Sequence, residues 1–181
     1  MHLSSQKLTL NHFLIFKKND PLFAWVSMVV RLNGHQIKIW GAQCPSGNHD
    51  LLLLSGIEPH LRWKTFSESL TEVARLMDVE MVITIGAMAG MAPHTRPLGV
   101  VGSAANSLIA DRLGLGKPSY EGPTGLVGVL HDHLDKEGIP IISLRVSVPH
   151  YVPGPPNPEA TRSLLSPVSY THLRAHETSP H

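Results

Sequence analysis

Two Pro-His corners hold the side chains with the most chemistry to offer. Pro93-His94-Thr95-Arg96-Pro97 sets an imidazole, a hydroxyl and a guanidinium side by side, stiffened by proline at each end, and Pro149-His150-Tyr151 adds a second imidazole and a phenol. Arg96 is suited to clamping a carboxylate or phosphate through two parallel hydrogen bonds. His94 or His150 could exchange protons near neutral pH. Each corner follows an apolar run that reads as a buried strand, Met81 to Gly86 in one case and Ile139 to Val148 in the other. In open α/β sheets ligands bind beyond the carboxyl ends of strands, so the corners are expected to share one ligand rim: His94, Thr95, Arg96, His150 and Tyr151. The ordinary alternative has Arg96 paired with an acid such as Glu121 and His94 capping a turn.

Tyr120 and Glu121 join this candidate rim because Tyr120-Glu121-Gly122-Pro123-Thr124-Gly125 runs straight into a helix start, where free amides can hold an anion. The stretch lacks the Lys-Ser/Thr ending of a phosphate loop and the spacing of a dinucleotide fingerprint, and Glu121 would repel an anion. Glu58 and Arg62 are secondary candidates; four residues apart, they read first as a local helix pair. His131-Asp132-His133 invites a metal reading, but helix positions two apart diverge by about 200 degrees, so the two imidazoles do not face one ion. Cys44 is the only cysteine, which excludes an internal disulfide framework and a multi-thiolate metal site. Neither a GxSxG elbow nor a Ser-His-Asp signature is present. No catalytic residue, metal or cofactor is therefore assigned, and the balance falls against an enzyme.

The elements that must position these groups follow from hydrophobic period. Between Glu58 and Met77, the residues Trp63, Phe66, Leu70, Val73, Ala74 and Met77 recur at helical spacing, with Lys64, Ser67, Glu68 and Glu72 opposite. Pro59 suits the first turn of that helix. Leu51 to Leu54 before it and Met81 to Gly86 after it complete a βαβ unit, and the alternation from Gln36 to Trp40 suggests a loose hairpin with Leu51 to Leu54. Leu98 to Ser103 is a further strand. Asn106 or Ser107 can cap a helix ending at Gly114; Thr124 is expected to cap one with a Leu126, Val127, Leu130 and Leu134 stripe, ended by Gly138. Asn157 and Pro158 open a last helix. The fold class is α/β, three-layered, with a mainly parallel sheet and helices on both faces.

The 181 residues are read as one domain over 31–165, preceded by a segment, 1–30, without clear periodicity. Val168 to Thr178 has no apolar period and resembles a translated sequencing adapter, so 166–181 is set apart as a non-native tail and the last helix is expected to be cut at Leu165. A net charge of +1 gives no bulk attraction to nucleic acid or acidic lipid. The apolar stretches are too short to span a bilayer, and the cytoplasm is the default compartment.

Taken together, LLLLSGIEPHLRW, PHTRP, YEGPTGLVGVLHD, GIPIISLRVSVPHY and PPNPEAT resemble the bacterial branch of the PAC2 family, relatives of proteasome assembly chaperone 2, from about Leu51 to Leu165. Ile57 stands where the family commonly has proline, and Arg145 where it has tryptophan. The resemblance implies a fold similar to nucleoside phosphorylases, homo-oligomerisation, and a non-enzymatic role in assembling a proteasome-related or other protein complex. The alternative, drawn from the same fold likeness, is a small-ligand binder or enzyme of the nucleoside hydrolase or phosphorylase type, with Arg96 holding an anion.

Overall fold

The structure, a computed structural model, describes residues 12–18, 27–32, 35–43, 49–91, 93–116, 124–151 and 157–174. The chain forms two compact units, Met1–Thr84 with Tyr120–Ile141, and Ile85–Ser119 with Ile142–His181. Strand β5 (Val79–Gly90) gives its first half to one unit and its second half to the other.

In the first unit β1 (His12–Lys18), β2 (Ser27–Leu32), β3 (His35–Ala42) and β4 (His49–Gly56) lie with β5 in the order β2-β3-β4-β1-β5. Pairings β2–β3, β3–β4 and β1–β4 are antiparallel, with Met28 opposite Ile39, Ile39 opposite Leu54 and Leu52 opposite Ile15. The expected hairpin of the Gln36–Trp40 run with Leu51–Leu54 is present. Burial alternates along both of its strands: Ile37 and Ile39 point inward around exposed Lys38, and Leu52 and Leu54 are buried between half-buried Leu51 and Leu53. β4, a helix and β5 follow one another as the βαβ reading expects, and β1 lies between the two strands in the sheet. That strand comes from the stretch with no readable pattern.

Helix α1 (Trp63–Leu76) buries Phe66, Leu70 and Ala74, and α3 (Leu126–Lys136) buries Leu126, Leu130 and Leu134. These side chains share one core with Ile37, Ile39, Leu52, Leu54 and Val82. Burial of each large aliphatic or aromatic side chain contributes about 1.5–3 kcal/mol. Two local expectations shift. α1 begins at Trp63 rather than near Glu58, because Arg62 takes the left-handed conformation (φ 59) and Pro59 lies ahead of the helix, its carbonyl accepting from Trp63 Nε1 at 2.6 Å. Ser67, assigned to the outer face, is buried; its hydroxyl donates to the Trp63 carbonyl at 2.9 Å, which satisfies the polar group inside the helix surface. Gly125 rather than Thr124 is the N-cap of α3, and Gly138 ends the turn after it at φ 74.

The second unit has the order β5-β7-β6, with β6 (Val100–Ala104) antiparallel to β7 (Ile141–Pro149). The sheet is therefore mixed within an α/β fold. β5 and β7 advance together: Val82 N–H donates to the Pro140 carbonyl at 2.9 Å and His150 N–H to the Gly90 carbonyl at 3.2 Å, so the two strands run parallel. Ile142, Ser143 and Leu144 are buried in succession, as a strand segment covered on both faces requires. A Cβ at Gly102 of β6 would fall 2.5 Å from Leu115 Cδ2, so the Leu115 side chain would have to shift to admit one. Asn106 caps α2 (Ser107–Leu113) by accepting from the amides of Leu108 and Ile109 at 3.0 and 3.2 Å, and Gly114 closes it at φ 64. Asn157 caps α4 (Pro158–Arg174) through the Ala160 amide, with Pro158 in the first turn; the helix runs past Leu165 to Arg174. Among the described residues no helix is long and apolar enough to cross a membrane.

Candidate functional site

The parallel course of β5 and β7 delivers both Pro-His corners to the same end of the second unit. Beyond Gly90 the chain bends, and Pro93 to Arg96 form a turn closed by the Arg96 amide donating to the Pro93 carbonyl at 3.2 Å. β7 ends at buried Pro149, and the His150 amide is held on the Gly90 carbonyl. Tyr151 then reaches across. Its phenol oxygen accepts the His94 backbone N–H at 3.0 Å and lies 2.9 Å from His94 Nδ1. Both imidazoles stand edge-on to its ring, His94 at a centroid distance of 5.8 Å and His150 at 5.3 Å, with interplanar angles of 84° and 85°.

His94, His150 and Tyr151 are thus brought together, and Thr95 and Arg96 occupy the same turn. All five are exposed. Arg96 is exposed and carries no side-chain partner among the described residues; Tyr120 and Glu121, the latter the acid weighed as its partner, lie outside them. Glu58 and Arg62 belong to the first unit and the rim to the second, and no ion pair joins Glu58 and Arg62 among the described residues: Arg62 is the N-cap of α1 and Glu58 precedes the helix, so the four-residue helical register does not apply.

Two further histidines have side-chain partners within the first unit. His131 Nε2 sits 2.9 Å from the hydroxyl of buried Thr84, and Asp132 pairs with Lys136 at 2.7 Å. His49 pairs with Glu80 at 2.7 Å. Partners 47 and 31 residues apart leave no mark in local sequence, so neither pair was readable there. Among the described residues no group of three or more His, Cys, Asp or Glu is placed to hold a metal ion. One feature of the rim escaped the sequence reading: Met91, between β5 and the Pro93 turn, is 89 % exposed. A large apolar side chain left in water beside a cluster of polar loop groups is the sort of signal that composition alone hides.

Chemically, an exposed rim excludes little water and so lends itself poorly to a reaction that needs a dry cavity. Tyr, Arg and Met, in contrast, are the residues enriched where proteins meet.

The sequence model of the PAC2 family matches residues 13–175. A PAC2 family protein from Streptomyces avermitilis is similar in structure with a TM-score of 0.71 and 33% identity, over 86% of this chain and 73% of that one. A Mycobacterium tuberculosis structure described as a proteasome-assembly chaperone homologue is similar with a TM-score of 0.68 and 32% identity, over 93% and 75%. An archaeal proteasome activator from Pyrococcus furiosus shares the fold at 15% identity, with a TM-score of 0.60 over 87% and 72%. No curated protein sequence matches. The matched family model spans both units and both Pro-His corners, and the chain belongs to the PAC2 family.

Proposed function

We propose that this protein is a non-enzymatic, homo-oligomeric assembly or interaction protein related to proteasome assembly chaperones, acting in the cytoplasm through protein partners and without a cofactor. The observation that carries this reading is the likeness to the Mycobacterium tuberculosis proteasome-assembly chaperone homologue over 93% of the chain. The exposed rim supports it: a Tyr-His-Arg surface held by backbone hydrogen bonds is preorganised for contact, which lowers the ordering cost of association. Light scattering on the purified chain together with a pull-down tests it. The expected result is a homo-oligomer that retains proteasome subunits, weakened by Tyr151→Ala; a monomer that recovers only itself refutes it.

The exposure of Arg96 on the same turn as His94 favours one second reading, a small-ligand binder or enzyme of the nucleoside hydrolase or phosphorylase type, with Arg96 on an anionic group and His94 or His150 exchanging protons. A thermal-shift panel of nucleosides, sugar phosphates and nucleotides separates the two. Stabilisation abolished by Arg96→Ala supports the second reading, and no stabilisation at millimolar ligand removes it.

A further inference from the structure

Met88, Met91 and His94 follow one another at three-residue spacing, Met-x-x-Met-x-x-His, where β5 runs out into the rim. Met91 is 89 % exposed and Met88 37 %. Leaving such a thioether in water forgoes the stabilisation of burial, so its position invites another use. The backbone places a third donor alongside. Gly90, the immediate neighbour of Met91, accepts the His150 amide at 3.2 Å, and Tyr151 bears on both imidazoles edge-on.

The two imidazoles are unequally engaged. His94 Nδ1 is taken up by the Tyr151 phenol at 2.9 Å, which leaves Nε2 without a partner among the described residues; the His150 ring makes no hydrogen bond among them. Neither 86–99 nor 147–156 contains an Asp or Glu, so these two segments bring no carboxylate of their own to a hard dication.

We propose that Met91, His94 and His150 bind a soft monovalent cation, with Cu(I) as the biological ion, Ag(I) as its redox-inert probe, and Met88 flanking the site. Thioether sulfur and neutral imidazole nitrogen are the donors that select such ions over zinc or magnesium. The Tyr151 oxygen supplies the outer support: it accepts the His94 backbone N–H and lies against Nδ1, and in the tautomer that carries its proton on Nδ1 the bare Nε2 is the ligand. The ion is bound without change of oxidation state.

The test is Ag(I) titration of the full chain carrying Cys44→Ser, so that the thiol does not compete, followed by NMR of methyl-labelled methionine and of histidine nitrogens. One equivalent is expected to shift the Met91 methyl and the Nε2 resonances of His94 and His150, while zinc leaves the methyl unmoved. Met91→Leu, His94→Gln and His150→Gln should each weaken binding at least about tenfold, and Tyr151→Phe by about tenfold through loss of the supporting oxygen. All four side chains are exposed, and matching circular dichroism melts verify that the variants fold. An unmoved Met91 methyl, or an affinity that survives Met91→Leu or either histidine change, overturns the proposal.

Discussion

Tyr151→Phe isolates the bond that joins the two Pro-His corners. The variant keeps the ring, and with it both edge-on imidazole contacts, but removes the oxygen that lies 3.0 Å from the His94 amide and 2.9 Å from its Nδ1. A hydrogen bond contributes about 0.5–1.5 kcal/mol net, and at an exposed site water takes over much of the loss, so about 0.5–1 kcal/mol is expected for the pair. Tyr151→Ala removes the ring as well. With Tyr151 52 % exposed, roughly half of an aromatic's typical ~200 Å² is buried, and ~100 Å² at ~25 cal/mol per Å² sets an upper bound of ~2.5 kcal/mol. Urea unfolding reads both values from the shift in midpoint at constant m. Amide hydrogen exchange gives the local readout: a 1 kcal/mol loss confined to the rim should speed exchange at His94 by about fivefold. The reasoning fails if Tyr151→Phe leaves the His94 amide and imidazole resonances unchanged, or if it destabilises as much as Tyr151→Ala.

Leu130→Ala, at a side chain with 0 % exposure between α1, α3 and the sheet of the first unit, should lower stability by about 2–5 kcal/mol in urea melts. Leu76→Ala, at a residue 81 % exposed on the same helix pair, should stay within about 0.5 kcal/mol. Asn106→Ala removes the acceptor for two amides at the start of α2 and should cost about 0.5–2 kcal/mol, with Asn106→Asp largely retaining the wild-type value. The Arg162 hydrogen bond holds the Glu159 carboxyl below its ordinary titration range. A depressed acid contributes stability above its unfolded pKa and loses it as pH falls through the lower folded value, so Arg162→Ala should raise the Glu159 midpoint in a carboxyl NMR titration. Because both groups are exposed, the thermal midpoint should barely move.

The helices were legible because their signals are local. Asn106 with Gly114, Asn157 with Pro158, and the stripes of α1 and α3 each lie within a few residues of what they specify. Where α1 starts was not legible: Arg62 adopts a positive φ that its type does not announce, while Pro59 is compatible with a first helical turn and with the loop it occupies. β1 escaped because His12–Lys18 places Leu14, Ile15 and Phe16 in a continuous run without alternation, although Asn19-Asp20-Pro21 directly after it is turn chemistry. β2 was not read either, although Asn33-Gly34 stands between it and β3 as a hairpin signal. At the rim the residues were readable and their joining was not. His94 and Tyr151 are 57 residues apart, and only the neighbouring, parallel placement of β5 and β7 brings them within a hydrogen bond.

The place of β1 bears on how the chain comes off the ribosome. Residues 12–18 emerge early, yet their two neighbours are β4 at 49–56 and β5 at 79–90. The β2-β3-β4 meander can zip up as it appears, while β1 waits for partners that are translated later, with two free strand edges in the interval. A nascent chain that has exposed β4 but not yet β5 would hold β1 against β4 with one edge still open. Synthesis at a slower pace between Gly56 and Val79 would lengthen that exposure and lower the yield of folded protein.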